Sequence, residues 1–241
     1  MNILTPETSA VHPHENGYLV LVDKPREWTS FDAVNKIKNT LRRTFRLKKV
    51  KIGHGGTLDP LATGLLLIGV GRATKSLQEL QGLDKRYDGT FYLGATTPSY
   101  DLETTPTEPV DVGHITLDQV RAAAADLTGD ILQRPPDFSA LKRGGKPVYL
   151  KARKGRATGL EPRPVTVQRF HIDRIEDGRL VHFDVACGKG TYIRSLAHDL
   201  GQALGCGAYL HGLRRTAVGP YALDEAWDVH ELAAHLRTFG S

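Results

Sequence analysis

Little in this chain of 241 residues invites cross-linking or metal chemistry. Cysteine occurs only twice, at Cys187 and Cys206, without CxxC spacing, so neither a disulfide framework nor a zinc site is implied. The ten histidines are scattered without ligand spacing. No HExxH motif and no serine-histidine-acid arrangement occurs, so no metal and no cofactor is expected. No apolar run is long enough to span a bilayer, and residues 1–17 lack the charged-then-apolar pattern of a secretory signal. A reduced, cytoplasmic setting without membrane contact is the expectation. Nor is charge of one sign in great excess. Lys and Arg number 32 against 27 Asp and Glu, a net +5, which hints at a polyanionic partner without proving one.

What is present suffices for a core, because 40% of the residues are apolar. One domain is expected from residue 17 to 241, after a loose segment, 1–16, that contains Pro6 and Pro13. Tyr18–Val22 reads as a buried strand broken at Asp23-Lys24-Pro25. Ser30 then serves as a helix cap, with Phe31, Val34, Ile37 and Leu41 at helical spacing behind it. Gly53 to Pro60 is too glycine-rich for regular structure, and with the apolar Leu61–Val70 it is expected to be a loop packed against something.

Tyr87, Phe91 and Leu93 alternate as in a strand, and Thr116 to Leu127 should be a helix closed by Gly129. Pro135 to Pro147 reads as a long loop. Val165–Ile175 and Leu180–Ala186 flank Asp177-Gly178, a strong hairpin signal. A helix through Leu204, a strand from Tyr209 to Val218 and a short helix from Val229 to Leu236 complete the chain. Strands that cluster in hairpins predict an α+β fold with a mixed, largely antiparallel sheet flanked by helices.

Two segments carry candidate chemistry. Arg42, Arg43, Arg46, Lys48, Lys49 and Lys51 crowd one short stretch, interrupted by Phe45, Leu47 and Val50. Read alone, it suits a solvated basic face and a phosphate grip equally well, and charge at a helix C-terminus is itself favourable for Arg42 and Arg43. Neither Gly53–Asp59 nor Gly188–Gly190 has P-loop or GxGxxG spacing. With the usual catalytic motifs absent, covalent catalysis by a carboxylate remains, and Asp59, restrained by Pro60, is the candidate.

The run Gly53-His54-Gly55-Gly56-Thr57-Leu58-Asp59-Pro60-Leu61-Ala62-Thr63-Gly64 resembles the signature of the TruB family, the tRNA pseudouridine-55 synthases. Further segments agree in order and approximate spacing: Leu21-Val22-Asp23-Lys24-Pro25, Asp84-Lys85-Arg86-Tyr87, Ser139-Ala140-Leu141-Lys142, Gly188-Lys189-Gly190-Thr191-Tyr192-Ile193-Arg194 and Leu213-Arg214-Arg215-Thr216. The resemblance covers nearly everything from Gly17 to about Tyr221.

It implies a pseudouridine synthase fold and an isomerase acting on uridine 55 in the T-loop of tRNA. Asp59 would be the catalytic carboxylate, Tyr87 would stack on the uracil, and Arg194 would pair with Asp59 and keep it ionised. Tyr192, Ile193 and Leu213 would wall the base, with Lys24 and His54 near it. Asp101 falls at the acid of a Thr-x-Thr/Ser-x-Asp segment. The target base would be flipped from its stack. The basic stretch, with Lys142 and Arg143, would grip phosphates. A monomer with no obligatory protein partner is expected.

Two departures stand out. Gly55 occupies a position where many relatives carry threonine, which is expected to loosen the loop backbone. About twenty residues follow Tyr221, too few for the PUA-type domain that typical bacterial members append, so that domain is expected to be absent. Two other readings fit parts of this pattern: an RNA-binding or RNA-folding protein with secondary or lost catalysis, and a related synthase guided to another RNA.

Overall fold

Tyr18–Lys24, apolar from Tyr18 to Val22, forms strand β2, which the short β1 (Asn2–Leu4) joins in parallel on one side. The leading segment is therefore not loose throughout, since Leu4 is buried. The computed structural model describes residues 2–6, 17–139, 142–143, 146–147, 151 and 159–239. The chain divides into two compact units, Met1–Tyr87 with Arg214–Ser241, and Asp88–Leu213.

In the first unit, α1 (Ser30–Thr44) begins at a capping box. Thr29 accepts from the Asp32 amide, and the Asp32 carboxylate accepts from the Thr29 amide at 2.9 Å. The cap is thus Thr29 and not Ser30, because the hydroxyl of Ser30 is engaged elsewhere. Ala33, Val34, Ile37 and Leu41 form the buried stripe of this helix. Strand β3 (Ile52–His54) then pairs with β4 (Thr63–Val70), and β4 lies antiparallel to β2 with Tyr18 opposite Val70.

The run expected to be a packed loop is therefore a strand from Thr63 on. Its alternate residues feed two cores. Leu66, Ile68 and Val70 join Val20, Val22 and the stripe of α1, while Leu65 and Leu67 join Leu19, Leu21 and Leu80. A strand covered on both faces needs no polar residues between its apolar ones, so alternation is missing from its sequence. Each of these buried side chains contributes about 1.5–3 kcal/mol. The first core is closed by Leu232 and Leu236 of the final helix, Val229–Thr238.

The second unit is built on hairpins. Strand β5 (Lys85–Leu93), with Tyr87, Phe91 and Leu93 buried as expected, begins in the first unit and continues into the second. Helix α2 (Leu77–Gly82) still belongs to the first unit, whereas α3 (Leu117–Asp126) lies in the second and starts at a second capping box, Thr116 with Gln119. Gly129 opens strand β6 (Gly129–Gln133) with φ +99° and does not close the helix directly. Lys142–Arg143 and Lys146–Pro147, inside the stretch expected to be loop, pair as β7 and β8.

Strands β9 (Arg163–Glu176) and β10 (Leu180–Cys187) pair antiparallel around Asp177-Gly178, whose φ values of 49° and 66° suit a tight hairpin turn. Strand β6 adds antiparallel to the other edge of β9. Phe91 stacks on Phe183 at 4.0 Å between centroids, and Phe170 meets Phe91 edge-on at 5.9 Å. Helix α4 (Ile193–Ala203) buries Leu196, Ala197 and Leu200, and β11 (Ala208–Val218) leads back to the first unit. The pairing is mixed and largely antiparallel with helices alongside, which is the α+β class. Parallel pairs are β1 with β2, β4 with β11, and the short strand Trp227–Asp228 with β2. No helix among the described residues is long and apolar enough to cross a membrane.

Candidate active site

In the first unit, Asp59 sits half-buried in the link between β3 and β4, and three neighbours hold that link by its backbone. The first is Ser30. Its hydroxyl accepts from the Leu58 amide at 2.8 Å and donates to the Leu58 carbonyl at 3.1 Å, fixing the residue next to Asp59 on both sides of its peptide. Leu58 is buried beneath it.

The second is Lys24, which is fully buried at the end of β2. Its ammonium donates to the carbonyls of Trp28 at 2.6 Å, Pro25 at 2.9 Å and Pro60 at 3.4 Å, so each proton has a partner. Burial pushes this ammonium down to about 8 from 10.5. The Asp59 carboxylate opposes the fall, and the Arg215 guanidinium adds to it. Lys24 and Asp59 thus feel each other's charge. Pro60 is held a second time where its carbonyl accepts from the Glu27 amide at 2.8 Å.

The third is Arg215, only 1% exposed although charged. Its Nε donates to Leu65 O at 2.7 Å, Nη2 to Gly56 O at 3.2 Å and Nη1 to Thr57 O at 3.4 Å. One planar fork therefore ties the loop's start to β4. The backbone follows it closely. Gly56 has φ +139°, and a Cβ on Gly64 would lie 2.3 Å from the Arg215 carbonyl, so both positions require glycine. On the same strand Arg214 turns the other way and clasps Asp23 with both nitrogens, at 2.6 and 3.2 Å.

Gly55 does not loosen this loop. Its amide donates to Leu67 O at 2.7 Å, and an added Cβ would come within 3.2 Å of the Leu80 Cβ, so Leu80 packs into the space. His54 lies beside the same charges, and burial and Arg215 lower its pKa while a backbone contact with Gly56 opposes them. Burial and Arg215 both favour the uncharged imidazole. Tyr87 is buried on β5.

The second unit holds the remaining expected residues. Arg194, at the start of α4, is buried and donates through Nη1 to Phe138 O at 3.0 Å and Ser99 O at 3.2 Å. Its Nε lies 3.6 Å from Asp101 Oδ2, so Asp101 belongs to a constructed ion pair and is more than a plain loop aspartate. Asp101 Oδ1 also accepts from the Glu103 amide at 2.9 Å, and its carbonyl accepts from the Thr97 and Ser99 hydroxyls at 2.7 and 3.1 Å. Gln133 binds both backbone polar groups of Tyr192, accepting at 2.8 Å and donating at 3.1 Å. Ile193 is buried and Leu213 half-buried.

Of the basic residues, Arg42, Arg43, Arg46, Lys48, Lys49 and Lys51 are described. Arg42, Arg43, Arg46, Lys48, Lys49 and Lys51 are all exposed. The side chains of Lys142 and Arg143 lie outside what the structure describes. Sequence reasoning missed the clamping roles of Ser30 and Arg215. The only signal for Arg215 was a second arginine on a strand, where alternate side chains face opposite ways.

The family model for TruB family pseudouridylate synthase (N terminal domain) matches residues 42–193, and one for the tRNA pseudouridylate synthase B C-terminal domain matches 194–239. The chain is 48% identical over 227 residues to tRNA pseudouridine synthase B of Flavobacterium johnsoniae, covering 94% of this chain and 96% of that protein. Against the protein of the same name from Chlorobium luteolum it is 47% identical over 230 residues, 95% of this chain and 78% of that one. Among solved structures, a chain of a Cbf5-Nop10-Gar1 complex superposes with a TM-score of 0.66 at 32% identity, covering 90% of this chain. The present chain spans about half, 53%, of that one.

Proposed function

The chain belongs to the TruB family of pseudouridylate synthases, and from that premise we propose that it isomerises uridine 55 in the T-loop of tRNA to pseudouridine, with Asp59 as the catalytic carboxylate. The observation that supports Asp59 most is its setting: a half-exposed acid on a loop whose backbone is fixed by Ser30, Lys24 and Arg215. A carboxylate that must meet one carbon of a nucleotide gains from such fixing, because positioning is done before the substrate arrives.

The reaction breaks the bond from uracil N1 to the ribose C1′ and forms a bond from C5 to the same carbon. The C5 proton is lost and N1 ends protonated, so atoms balance without oxidant, reductant or metal. In this reading Asp59 acts as nucleophile or base while the glycosidic bond breaks. Tyr87 stacks on the uracil, a contact of roughly 1–3 kcal/mol. Arg194 sustains the charge balance around the anionic site, Tyr192, Ile193 and Leu213 flank the base with His54 near it, and the buried Lys24 serves by holding the Asp59 loop.

The uridine lies in a stacked loop, so it is extruded before it reacts. We read residues 17–241 as one catalytic domain that works as a monomer, in the cytoplasm, on folded tRNA without a protein partner or cofactor.

Chemical mapping of pseudouridine in a tRNA transcript, after incubation with the wild-type protein and with Asp59→Asn, tests this directly, since isomerisation leaves mass unchanged. The wild type is expected to convert position 55 alone and the variant to convert nothing. Conversion elsewhere sinks the position, and equal conversion by both proteins sinks the role of Asp59. Purified ribosomal RNA in the same assay tests the guided alternative, and T-arm refolding by the Asp59→Asn protein tests the RNA-folding one.

A further inference from the structure

We propose that a cavity at the end of α1 is a docking pocket for backbone phosphates of the folded RNA, outside the loop that carries Asp59. The proposal rests on the tRNA reading above and extends it to a second place on the first unit. The cavity, of about 340 Å³, is lined by Lys38, Arg42, Lys48, Lys49 and Val50. Four cations face one space, and among the described residues no acidic side chain lines it.

A solvated charged face does not account for this arrangement, because such faces mix signs and gain from opposite-charge neighbours. The helix dipole favours Arg42 in the last turn, but its influence fades within a turn. Lys38 stands further in, and Lys48 and Lys49 lie beyond the helix end.

The pocket is also built before any ligand arrives. After Thr44 the chain reverses, with Phe45 N donating to Leu41 O at 3.1 Å and Leu47 N to Arg42 O at 3.0 Å, and Arg46 takes φ +52°. Phe45 and Val50 pack against the first core, and the Lys51 carbonyl accepts from the Gly71 amide at 2.8 Å. Lys48 and Lys49 are thereby suspended between two anchored points, facing Lys38 and Arg42, which lie one helical turn apart.

The lining also names the ligand class. It offers cationic donors and one valine, with no aromatic ring to stack on a base and no acceptor to read a sugar or base edge. It therefore suits a repeated anion recognised by charge, which is the phosphodiester backbone. The pocket adds affinity and carries no sequence information.

The test is the salt dependence of binding of a T-arm hairpin RNA, measured from 50 to 300 mM monovalent salt for the wild type, Lys48→Gln/Lys49→Gln and Lys38→Gln/Arg42→Gln, with Arg237→Gln as an exposed control. Each lost phosphate contact lowers the slope of log affinity against log salt by about 0.7–0.9, so each double variant should lose up to about 1.4–1.8. Affinity at low salt should fall roughly tenfold. The control should shift less, per charge removed, than either double variant.

Two double variants guard against one that misfolds, and a thermal melt of each confirms the fold. Slopes equal to wild type in both, or a loss per charge no larger than the control's, overturn the proposal. Titration of the wild type with inorganic phosphate is the second arm. Micromolar binding of phosphate that the hairpin fails to displace would make the pocket a site for a free anion and would also overturn it. Conversion of tRNA by the unaltered protein, scored separately, tests the tRNA reading itself, so the two failures are distinguishable.

Discussion

Positive charge is put to opposite uses at two places in the first unit. Lys24 and Arg215 are buried, and each donates three hydrogen bonds to backbone carbonyls, so their charge is spent on holding the Asp59 loop. Lys38, Arg42, Lys48 and Lys49 line an open cavity, and their charge is left for a ligand. The residue types are the same. Burial decides the role, because a cation removed from water must find fixed partners, whereas one in water keeps its charge available at little cost.

The largest stability effect should come from breaking the buried set. Arg215→Ala removes three hydrogen bonds and leaves carbonyls of Gly56, Thr57 and Leu65 facing a void. We expect a loss of about 3–4 kcal/mol in urea unfolding. Arg215→Lys should recover only part of it, since one ammonium cannot serve carbonyls that a fork spans. A loss under 1 kcal/mol for the alanine variant would contradict the clamp.

Lys24 sharpens the contrast through pH. Its folded value, about 8, lies below the ordinary 10.5, so the native state releases the proton before the unfolded state does. The unfolded chain then binds more protons between those values, and stability from this group rises with pH across that window. Below about pH 8 the penalty of a buried ammonium is present in full. Relative to Lys24→Met, the wild type should gain about 2 kcal/mol from pH 7 to 9.5. A flat difference would show that Lys24 is not strained by burial. Asp59→Asn, which removes an opposing carboxylate, should move the rise to lower pH.

Smaller again is the packing beneath the loop. Gly55→Ala places a Cβ 3.2 Å from Leu80 and should cost about 1–2 kcal/mol in thermal unfolding. No change, or a gain, would mean that Leu80 shifts freely. The exposed set should respond least: Lys49→Gln should alter stability by less than about 0.5 kcal/mol, because no fixed partner is lost. A larger change would assign that lysine a structural task and blur the distinction between the two groups.

Much of this was legible in the chain itself, where local chemistry decides the outcome. Asp177-Gly178 announced the β9–β10 hairpin because its backbone tolerates positive φ, and the run from Thr116 to Leu127 announced α3. Strand β4 was not legible as a strand, since two cores cover its faces and erase alternation. Ser30 was misread as a cap because Thr29 beside it is equally suited, and only the position of Leu58 frees Ser30 for another bond. Asp59 could be found by elimination and resemblance, but the clamp could not. Lys24, Ser30 and Arg215 are far apart in sequence and are brought to one loop by the pairing of β4 with β2 and β11.

Conversion should depend on the Asp59 carboxylate, and the most direct measurement follows the hydrogen that leaves carbon five. In single-turnover reactions with tRNA carrying tritium at C5 of uridine, the wild type should release the label from one uridine per tRNA. Asp59→Asn, folded by its thermal melt, should release it at least roughly 10⁴-fold more slowly. Release by that variant within tenfold of the wild-type rate would contradict the assignment of the carboxylate.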